Sequence, residues 1–136
     1  MKPELMNSLV LAYLGDAYLE ILVRDYLVLS LGGVKPKFLQ RDSTYYVSAK
    51  AQVNFMEEAI KHDWLSQEEI NQYKRGFNTK NNRSTKNTDV VTHNKSTGFE
   101  SIIGYHYVNR NFERIDVIFE YYKQTVLEYK EKKGQI

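Results

Sequence analysis

The stretch from Leu5 to Leu19 constrains the fold of this chain most, because apolar residues cover almost every face of the helix that it implies. Asp16 carries the only formal charge in that stretch. We expect the helix to be buried, and a lone buried carboxylate would cost roughly several kcal/mol unless a cation offset it. Gly15 lowers helix stability by about 1 kcal/mol relative to Ala, and such a glycine often marks a close approach of another backbone or a ligand. The structural alternative is a salt-bridged Asp16 beside an incidental glycine.

Composition excludes several classes of site. The chain has 136 residues, which predicts one domain spanning residues 1–136, and it contains no cysteine. Disulfides, thiolate zinc sites and cysteine nucleophiles are therefore excluded. No apolar run has the length and purity of a membrane span, and no signal peptide is visible, so we expect a cytoplasmic protein. The net charge is only +2, so binding to a polyanion would require segregated charge.

Capping residues and hydrophobic periodicity predict an all-α fold of about six helices and no strand. The second helix is expected to bury Phe38, Leu39 and Tyr45, and the third to bury Ala51, Phe55, Met56 and Ile60. The polar segment 78–94 lacks periodicity and is predicted to be a loop. The six predicted helices run from Asn7 or Ser8 to Leu29 or Ser30, from 36 to about 46, from Ser48 to Ala59 or Ile60, from 66 to about 77, from Ser96 or Thr97 to 108, and from Asn111 to about 132.

The helix predicted to begin at Ser96 or Thr97 has the same unusual pattern as the helix at Leu5–Leu19, a single carboxylate among apolar residues. Between Lys95 and Arg110, Glu100 is the only acidic residue, there is no further Lys or Arg, and Gly104 lies one turn away. Two lone carboxylates side by side would repel each other unless a divalent cation lay between them. Oxygen ligands without cysteine favour Mg²⁺ or Mn²⁺ over zinc. The residues alone leave open the alternative that each carboxylate meets a different Lys, Arg or Tyr hydroxyl.

The polar segment that leads into this helix is basic. Cations and short hydrogen-bonding side chains of this kind suit phosphate oxygens and ribose hydroxyls. Taken alone, the pattern fits a solvated loop better than an RNA-binding one. It supports RNA binding only because the segment lies just before the helix of Glu100. The candidate RNA-binding residues are Lys74, Arg75, Asn78, Lys80, Arg83, Lys86, Asn87 and Lys95.

At these residues the chain resembles a known family. The segment 13–17, Tyr-Leu-Gly-Asp-Ala, is similar to the signature helix of ribonuclease III catalytic domains, whose Leu-Gly-Asp-Ala core supplies a metal-binding Asp. The segment 99–104, Phe-Glu-Ser-Ile-Ile-Gly, is similar to the second acidic motif of that family. Segments 46–52, 74–78 and 86–90 resemble the smaller bacterial branch, the Mini-ribonuclease III proteins. These have the catalytic domain without a double-stranded RNA-binding domain, and none is expected to follow here.

The resemblance implies an all-α homodimer that cleaves double-stranded RNA. It implies that Asp16 and Glu100 hold Mg²⁺, for which Mn²⁺ can substitute, and that they are the catalytic residues. Tyr13 resembles the apolar residue that the family inserts into its partner across the two-fold axis, and Gly15 is then expected at that interface. The implied substrate is the precursor of 23S ribosomal RNA.

Two positions depart from the larger enzymes of the family. An acidic residue of their first motif is Ala12 here, and one of their second motif is Thr97. The number of metal ions per site is therefore open. A non-catalytic RNA-binding or ribosome-assembly protein with the same fold remains an alternative. A helical phosphohydrolase acting on small nucleotides is a weaker one, because the His-Asp pairs of such enzymes are missing.

Overall fold

The computed structural model describes residues 2–30, 32, 35–79 and 90–132, and within them the chain is all-α, as predicted. A short 3₁₀ helix, Pro3–Leu5, precedes six α-helices, and no strand occurs in the described ranges. The helices are α1 (Ser8–Ser30), α2 (Pro36–Tyr46), α3 (Ala49–Lys61), α4 (Gln67–Asn78), α5 (Val90–Val108) and α6 (Phe112–Lys132). No helix of the described part is long and apolar enough to cross a membrane.

Three of the predicted caps begin their helices, whereas Ser96 and Thr97 lie inside α5 and do not cap it. The side chain of Asn7 accepts a hydrogen bond from the Leu9 backbone at 2.7 Å, and Ser48 caps α3. Ser66 and Glu69 form a reciprocal capping box at the start of α4. Each cap satisfies backbone N–H groups that have no partner within the helix. Local chemistry therefore determines where these three helices begin.

Helix α5 begins earlier than predicted. Residues 90–94, which were expected in the loop, form its first turns, and residues 80–89 lie outside the described part of the chain. Lys95 in this region forms an ion pair with Glu57 of α3 at 3.6 Å. Extending an existing helix adds one hydrogen bond per residue without a new nucleation cost. The packed part of α5 can therefore carry a polar N-terminal extension that has no periodicity of its own.

Glycines allow α1 and α5 to cross in backbone contact. A Cβ atom at Gly15 would overlap the carbonyl oxygen of Glu100, and one at Gly104 would overlap the carbonyl oxygen of Leu11. The expected close approach at Gly15 is therefore present, but the neighbour is α5 of the same chain. Gly15 is buried against α5 within its own chain, and its place at an interface between two copies stays a prediction.

Some predicted core residues lie at the edge of the core. Phe38, Leu39 and Tyr45 are only half-buried, and Ile60 is 48% exposed. In α2 the most buried positions are Ser43 and Tyr46. In α3 the inward face includes Gln52 together with Ala51, Phe55, Met56 and Ala59. A small change in the phase of a helix turns a residue from the core to its edge, and periodicity over so few turns does not resolve it.

Candidate active site

The crossing of α1 and α5 brings the two predicted carboxylates together. Asp16 directly follows the glycine that contacts α5, and Glu100 is the residue whose carbonyl lies against that glycine. The side chains of Asp16 and Glu100 lie within hydrogen-bonding reach of each other. Two acidic residues separated by most of the chain thus form one acidic pair.

The surroundings of Asp16 differ from the prediction. Asp16 is exposed and Glu100 is half-buried, so the expectation of a fully buried Asp16 is wrong. The reason is that one face of α1 is open, and several apolar residues on it are exposed, including Tyr13, Ile21 and Val28. Asp16 is therefore accessible to a ligand that approaches from solvent, whereas Glu100 stands behind it.

The electrostatics of the pair are unfavourable for two negative charges. Burial raises the pKa of Glu100 to about 8, and the neighbouring Asp16 contributes to the same increase. A hydrogen bond donated by Gln52 acts in the opposite direction. Within the described ranges neither Asp16 nor Glu100 belongs to an ion pair. A cation from outside the chain would therefore lower the energy of the ionised pair.

The donor set fits a hard divalent cation with few protein ligands. In the described residues no group of three or more His, Cys, Asp or Glu side chains converges, so two carboxylates are what the site offers. Ala12 and Thr97, which replace acidic residues of the larger enzymes, are both buried and carry no carboxylate. Mg²⁺ commonly keeps several water molecules and uses only one or two carboxylates. The pair can therefore hold such an ion with water in the remaining positions.

Comparisons with known proteins identify the family of this chain. The Ribonuclease III domain family matches residues 9–111, a range that includes both carboxylates and the crossing of α1 and α5. The chain belongs to the ribonuclease III family. It is accordingly an endoribonuclease, and double-stranded RNA is the substrate class of this family.

The relatives cover nearly the full length of the chain. The Mini-ribonuclease 3 of Enterococcus faecalis is 46% identical over 127 residues, which is 93% of this chain and 96% of that protein. The Mini-ribonuclease 3 of Streptococcus pneumoniae is 39% identical over 90% of this chain and 94% of that protein. A crystal structure of a protein from Fusobacterium nucleatum superposes with a TM-score of 0.73 at 30% identity, covering 85% of this chain and 89% of that one.

The candidate RNA-binding residues are placed only in part. Lys74 and Asn78 are exposed on α4, and Lys95 pairs with Glu57. The Arg75 guanidinium donates to the Met6 carbonyl and to Gln72, and it lines a polar cavity of about 280 Å³ together with Asn78. Lys80, Arg83, Lys86 and Asn87 lie outside the described residues. The described members of this set lie on α4 and in the N-terminal part of α5.

Gln52 is a residue of the site that sequence reasoning missed. Its segment, 46–52, entered only as part of the family resemblance, and its side chain was given no role. The structure places its amide against Glu100, with Nε2 at 3.2 Å from Oε2 of the carboxylate. A polar residue on the same helical face as Ala51 and Phe55 was the available signal, because a buried amide needs partners.

A separate carboxylate, that of Glu69 on α4, is buried and has cationic partners within the chain. Glu69 accepts hydrogen bonds from Arg114 at 2.7 Å and from His106 at 2.6 Å. Arg114 also stacks over the ring of Trp64, with its central carbon 4.3 Å from the ring centroid. This cluster joins α4, α5 and α6, and it assigns His106 a structural partner.

Proposed function

We propose that this chain is a Mg²⁺-dependent endoribonuclease in which Asp16 and Glu100 are the catalytic, metal-holding pair, with Mn²⁺ able to substitute. The observation that carries the proposal is the contact between these two carboxylates, which no cation of the described residues neutralises. A strongly perturbed pKa that arises from both burial and a like charge is typical of functional sites. The residues 1–136 then act as one ribonuclease III-like catalytic domain.

The two carboxylates have different tasks in this proposal. A divalent cation supplies, when bound, an activated water and charge neutralisation at the leaving oxygen. Asp16 is exposed and meets the RNA side of the site, whereas Glu100 is half-buried and held from behind by α3. Lys74, Asn78 and the other basic and amide residues of the set then contact the phosphate backbone, where cations bind independently of base sequence.

We also propose that the active form is a homodimer built on α1. Five of its exposed residues are spaced by three, four or seven positions and so form one stripe along the helix. They are Val10, Tyr13, Ala17, Ile21 and Val28. Tyr13 is 83% exposed and Ile21 is 61% exposed. Apart from the exposed Arg24 between Ile21 and Val28, this stripe is apolar. An apolar stripe of this length is typical of a protein interface, and a second copy of the same stripe is self-complementary around a two-fold axis.

Tyr13 has a suitable receptor on that surface. An apolar cavity of about 180 Å³ lies between α1 and α2, and Leu27, Val28 and Leu39 line it. If the two-fold axis passes near Ile21, Tyr13 of one copy lies opposite Val28 of the other. This arrangement supports the insertion of Tyr13 across the axis that the family resemblance implies.

Oligomeric state tests the dimer. Tyr13→Asp and Ile21→Asp are expected to give monomers by size-exclusion chromatography with light scattering, because an unpaired charge would be buried at the interface. Leu127→Asp, which places the same charge on an exposed apolar position of α6, is the control and should leave the mass unchanged. A wild-type monomer at high concentration would contradict the dimer.

The proposed substrate is double-stranded RNA of the 23S ribosomal RNA precursor, and the proposed location is the cytoplasm. The resemblance to the Mini-ribonuclease III branch implies this substrate, and relatives named Mini-ribonuclease 3 are 46% and 43% identical to this chain. Transcripts of the paired precursor ends are expected to be cut at a defined position, and a duplex of unrelated sequence less efficiently. Equal cutting of both duplexes would restrict the proposal to double-stranded RNA in general.

Cleavage of a long RNA hairpin tests the catalytic pair. Asp16→Asn and Glu100→Gln are each expected to reduce kcat by about a hundredfold or more, the scale that removal of one electrostatic group causes. Asp25→Asn on α1 and Glu113→Gln on α6 change exposed carboxylates and serve as matched controls. A chelator should abolish cleavage by the wild type. Undiminished cleavage by Asp16→Asn or Glu100→Gln would remove the mechanism.

Ala12 and Thr97 supply no carboxylate to the site, which favours the alternative of a non-catalytic protein. The same experiment tests that alternative. A non-catalytic RNA-binding protein of this fold would bind the hairpin but would not cut it at any concentration of Mg²⁺ or Mn²⁺. Binding measured by gel shift in parallel with cleavage separates the two functions.

A further inference from the structure

The side-chain amide of Gln52 forms three hydrogen bonds beside the acidic pair. Gln52 lies on α3 and is only 1% exposed. Its Nε2 donates to the Val47 carbonyl at 3.1 Å and to Oε2 of Glu100 at 3.2 Å. Its Oε1 accepts a hydrogen bond from the Ser96 hydroxyl at 2.6 Å. Both N–H groups and the carbonyl of the amide therefore have partners.

These partners determine which way the amide points. The Val47 backbone carbonyl only accepts hydrogen bonds, so the amide group that faces it must be the N–H side. Turning the amide over would place its oxygen against both Val47 and Glu100 and would leave the Ser96 hydroxyl facing an N–H group. The hydrogen-bond network thus assigns the orientation.

The same network constrains Glu100 through its Oε2 atom, because Val47 and Ser96 fix the amide that donates to it. Ser96 and Glu100 lie one turn apart on α5, so both face α3 across the same narrow surface. A Glu side chain has several rotatable bonds and would otherwise sample many rotamers at a half-exposed position. One contact of the Glu100 carboxylate is thus the Gln52 amide on α3, and the other is the neighbouring Asp16.

We propose that Gln52 is a positioning residue, which holds the Glu100 carboxylate so that Glu100 and Asp16 together receive a divalent cation. This inference rests on the proposed function of the acidic pair. Residues that hydrogen-bond to a metal ligand commonly change metal affinity or activity by about 10- to 100-fold when they are removed. A purely structural Gln52 would change stability alone.

The decisive experiment measures cation binding separately from cleavage. Gln52→Met keeps the length and bulk of the side chain and removes all three hydrogen bonds. Binding of Mn²⁺ to the RNA-free protein is followed by electron paramagnetic resonance of the free ion, and hairpin cleavage gives kcat and KM. We expect the Mn²⁺ dissociation constant to rise about tenfold and kcat to fall, with KM for RNA unchanged.

Two further variants separate positioning from stability. Ser96→Ala removes the donor to Gln52 Oε1 and should change Mn²⁺ affinity in the same direction by a smaller factor. Asn54→Ala lies on the same helix and removes a hydrogen bond to the Thr125 carbonyl, 3.3 Å away, without touching Glu100. It should lower the melting temperature and leave Mn²⁺ affinity unchanged.

The outcomes distinguish this inference from the proposed function. Wild-type Mn²⁺ affinity and kcat in folded Gln52→Met would overturn the positioning role while Asp16→Asn remains inactive. If Gln52→Met does not fold, Ser96→Ala decides, and its unchanged Mn²⁺ affinity would overturn the role equally. Wild-type Mn²⁺ binding and cleavage by Asp16→Asn would instead refute the proposed function itself.

Discussion

Two glutamates on neighbouring helices are buried or half-buried, and their surroundings shift their pKa values in opposite directions. Glu69 on α4 is 1% exposed, and burial alone would raise its pKa. Hydrogen bonds from Arg114, His106 and the Ser66 backbone outweigh burial and hold that pKa well below its usual range. Glu100 on α5 is less buried, yet burial and Asp16 raise its pKa to about 8.

The difference shows how a structural carboxylate and a functional one can be told apart. Glu69 has its counter-charge within the chain, so the ion pair ties three helices together without any ligand. Glu100 has a second carboxylate beside it, and its favourable contact within the described residues is the amide of Gln52. An arrangement that is unsatisfied in the free protein is retained where a ligand completes it. The acidic pair fits this description and the Glu69 cluster does not.

Removal of the counter-charge of Glu69 should have the largest effect on stability. Arg114→Met leaves Glu69 buried with a diminished set of partners, and we expect the free energy of unfolding to fall by about 3 to 5 kcal/mol. Arg41→Met is the control, because Arg41 pairs with Asp42 at the surface and is 69% exposed, so its loss should be about 1 kcal/mol or less. Urea unfolding at neutral pH measures both. Equal losses in the free energy of unfolding would show that the Glu69 cluster stabilises the fold no more than a surface ion pair does.

Separation of the two carboxylates should have the next largest effect. In Gly15→Ala the new methyl group would overlap the Glu100 carbonyl, and we expect a loss of about 2 to 3 kcal/mol together with impaired cleavage. Gly32→Ala is the matched control, because the nearest atom to its Cβ would be the Val28 carbonyl oxygen at 3.4 Å. Thermal unfolding and the hairpin assay report the two effects. A fully active Gly15→Ala variant would contradict the role of the close crossing.

The two glutamates should give opposite pH dependences in the presence of a chelator. The unfolded Glu100 carboxyl ionises near 4.5 and the folded one near 8, so the folded state holds an extra proton between these values. Stability from Glu100 is therefore present below about pH 4.5 and is lost as the pH rises through 8, by about 2 kcal/mol after allowance for partial exposure. Glu69 has a lowered pKa, so its contribution is present above about pH 4.5 and is lost as the pH falls.

Urea unfolding between about pH 4 and pH 9, at one protein concentration, tests these signs. Glu100→Gln should remove the decline on the alkaline side and leave the acid side unchanged. A wild-type stability that rises steadily from pH 5 to 8 would contradict the assignment for Glu100.

The smallest expected effect is stabilisation by the cation. Mg²⁺ at ten times its dissociation constant should increase the free energy of unfolding of the wild type by about 1.4 kcal/mol, because it binds the folded state. Asp16→Asn and Glu100→Gln should show little of this gain, whereas Arg41→Met should show all of it. Differential scanning fluorimetry with and without Mg²⁺ is sufficient. An equal gain in Glu100→Gln would place the cation elsewhere.

Some features were predictable because they depend on neighbours along the chain. Ser48 and Ser66 were identified as caps, since a cap bonds to a backbone group two or three positions away. The contact of Asp16 with Glu100 was predicted from two isolated carboxylates beside glycines. The Glu69 cluster was not predicted, because Arg114 lies 45 residues further along and no local pattern links the two.

The sequence by itself determined the all-α class, the caps of three helices and the two acidic motifs, because these depend on residue types within a few positions of one another. Only the tertiary structure decided which residues meet: Gly15 with α5, Gln52 with Glu100, and Glu69 with Arg114. It also decided that one apolar face of α1 stays open, with Tyr13 exposed on it. Covering an apolar helix face lowers the free energy, so the sequence indicates which faces are to be covered. Contacts between distant segments determine whether the chain itself or another molecule covers them.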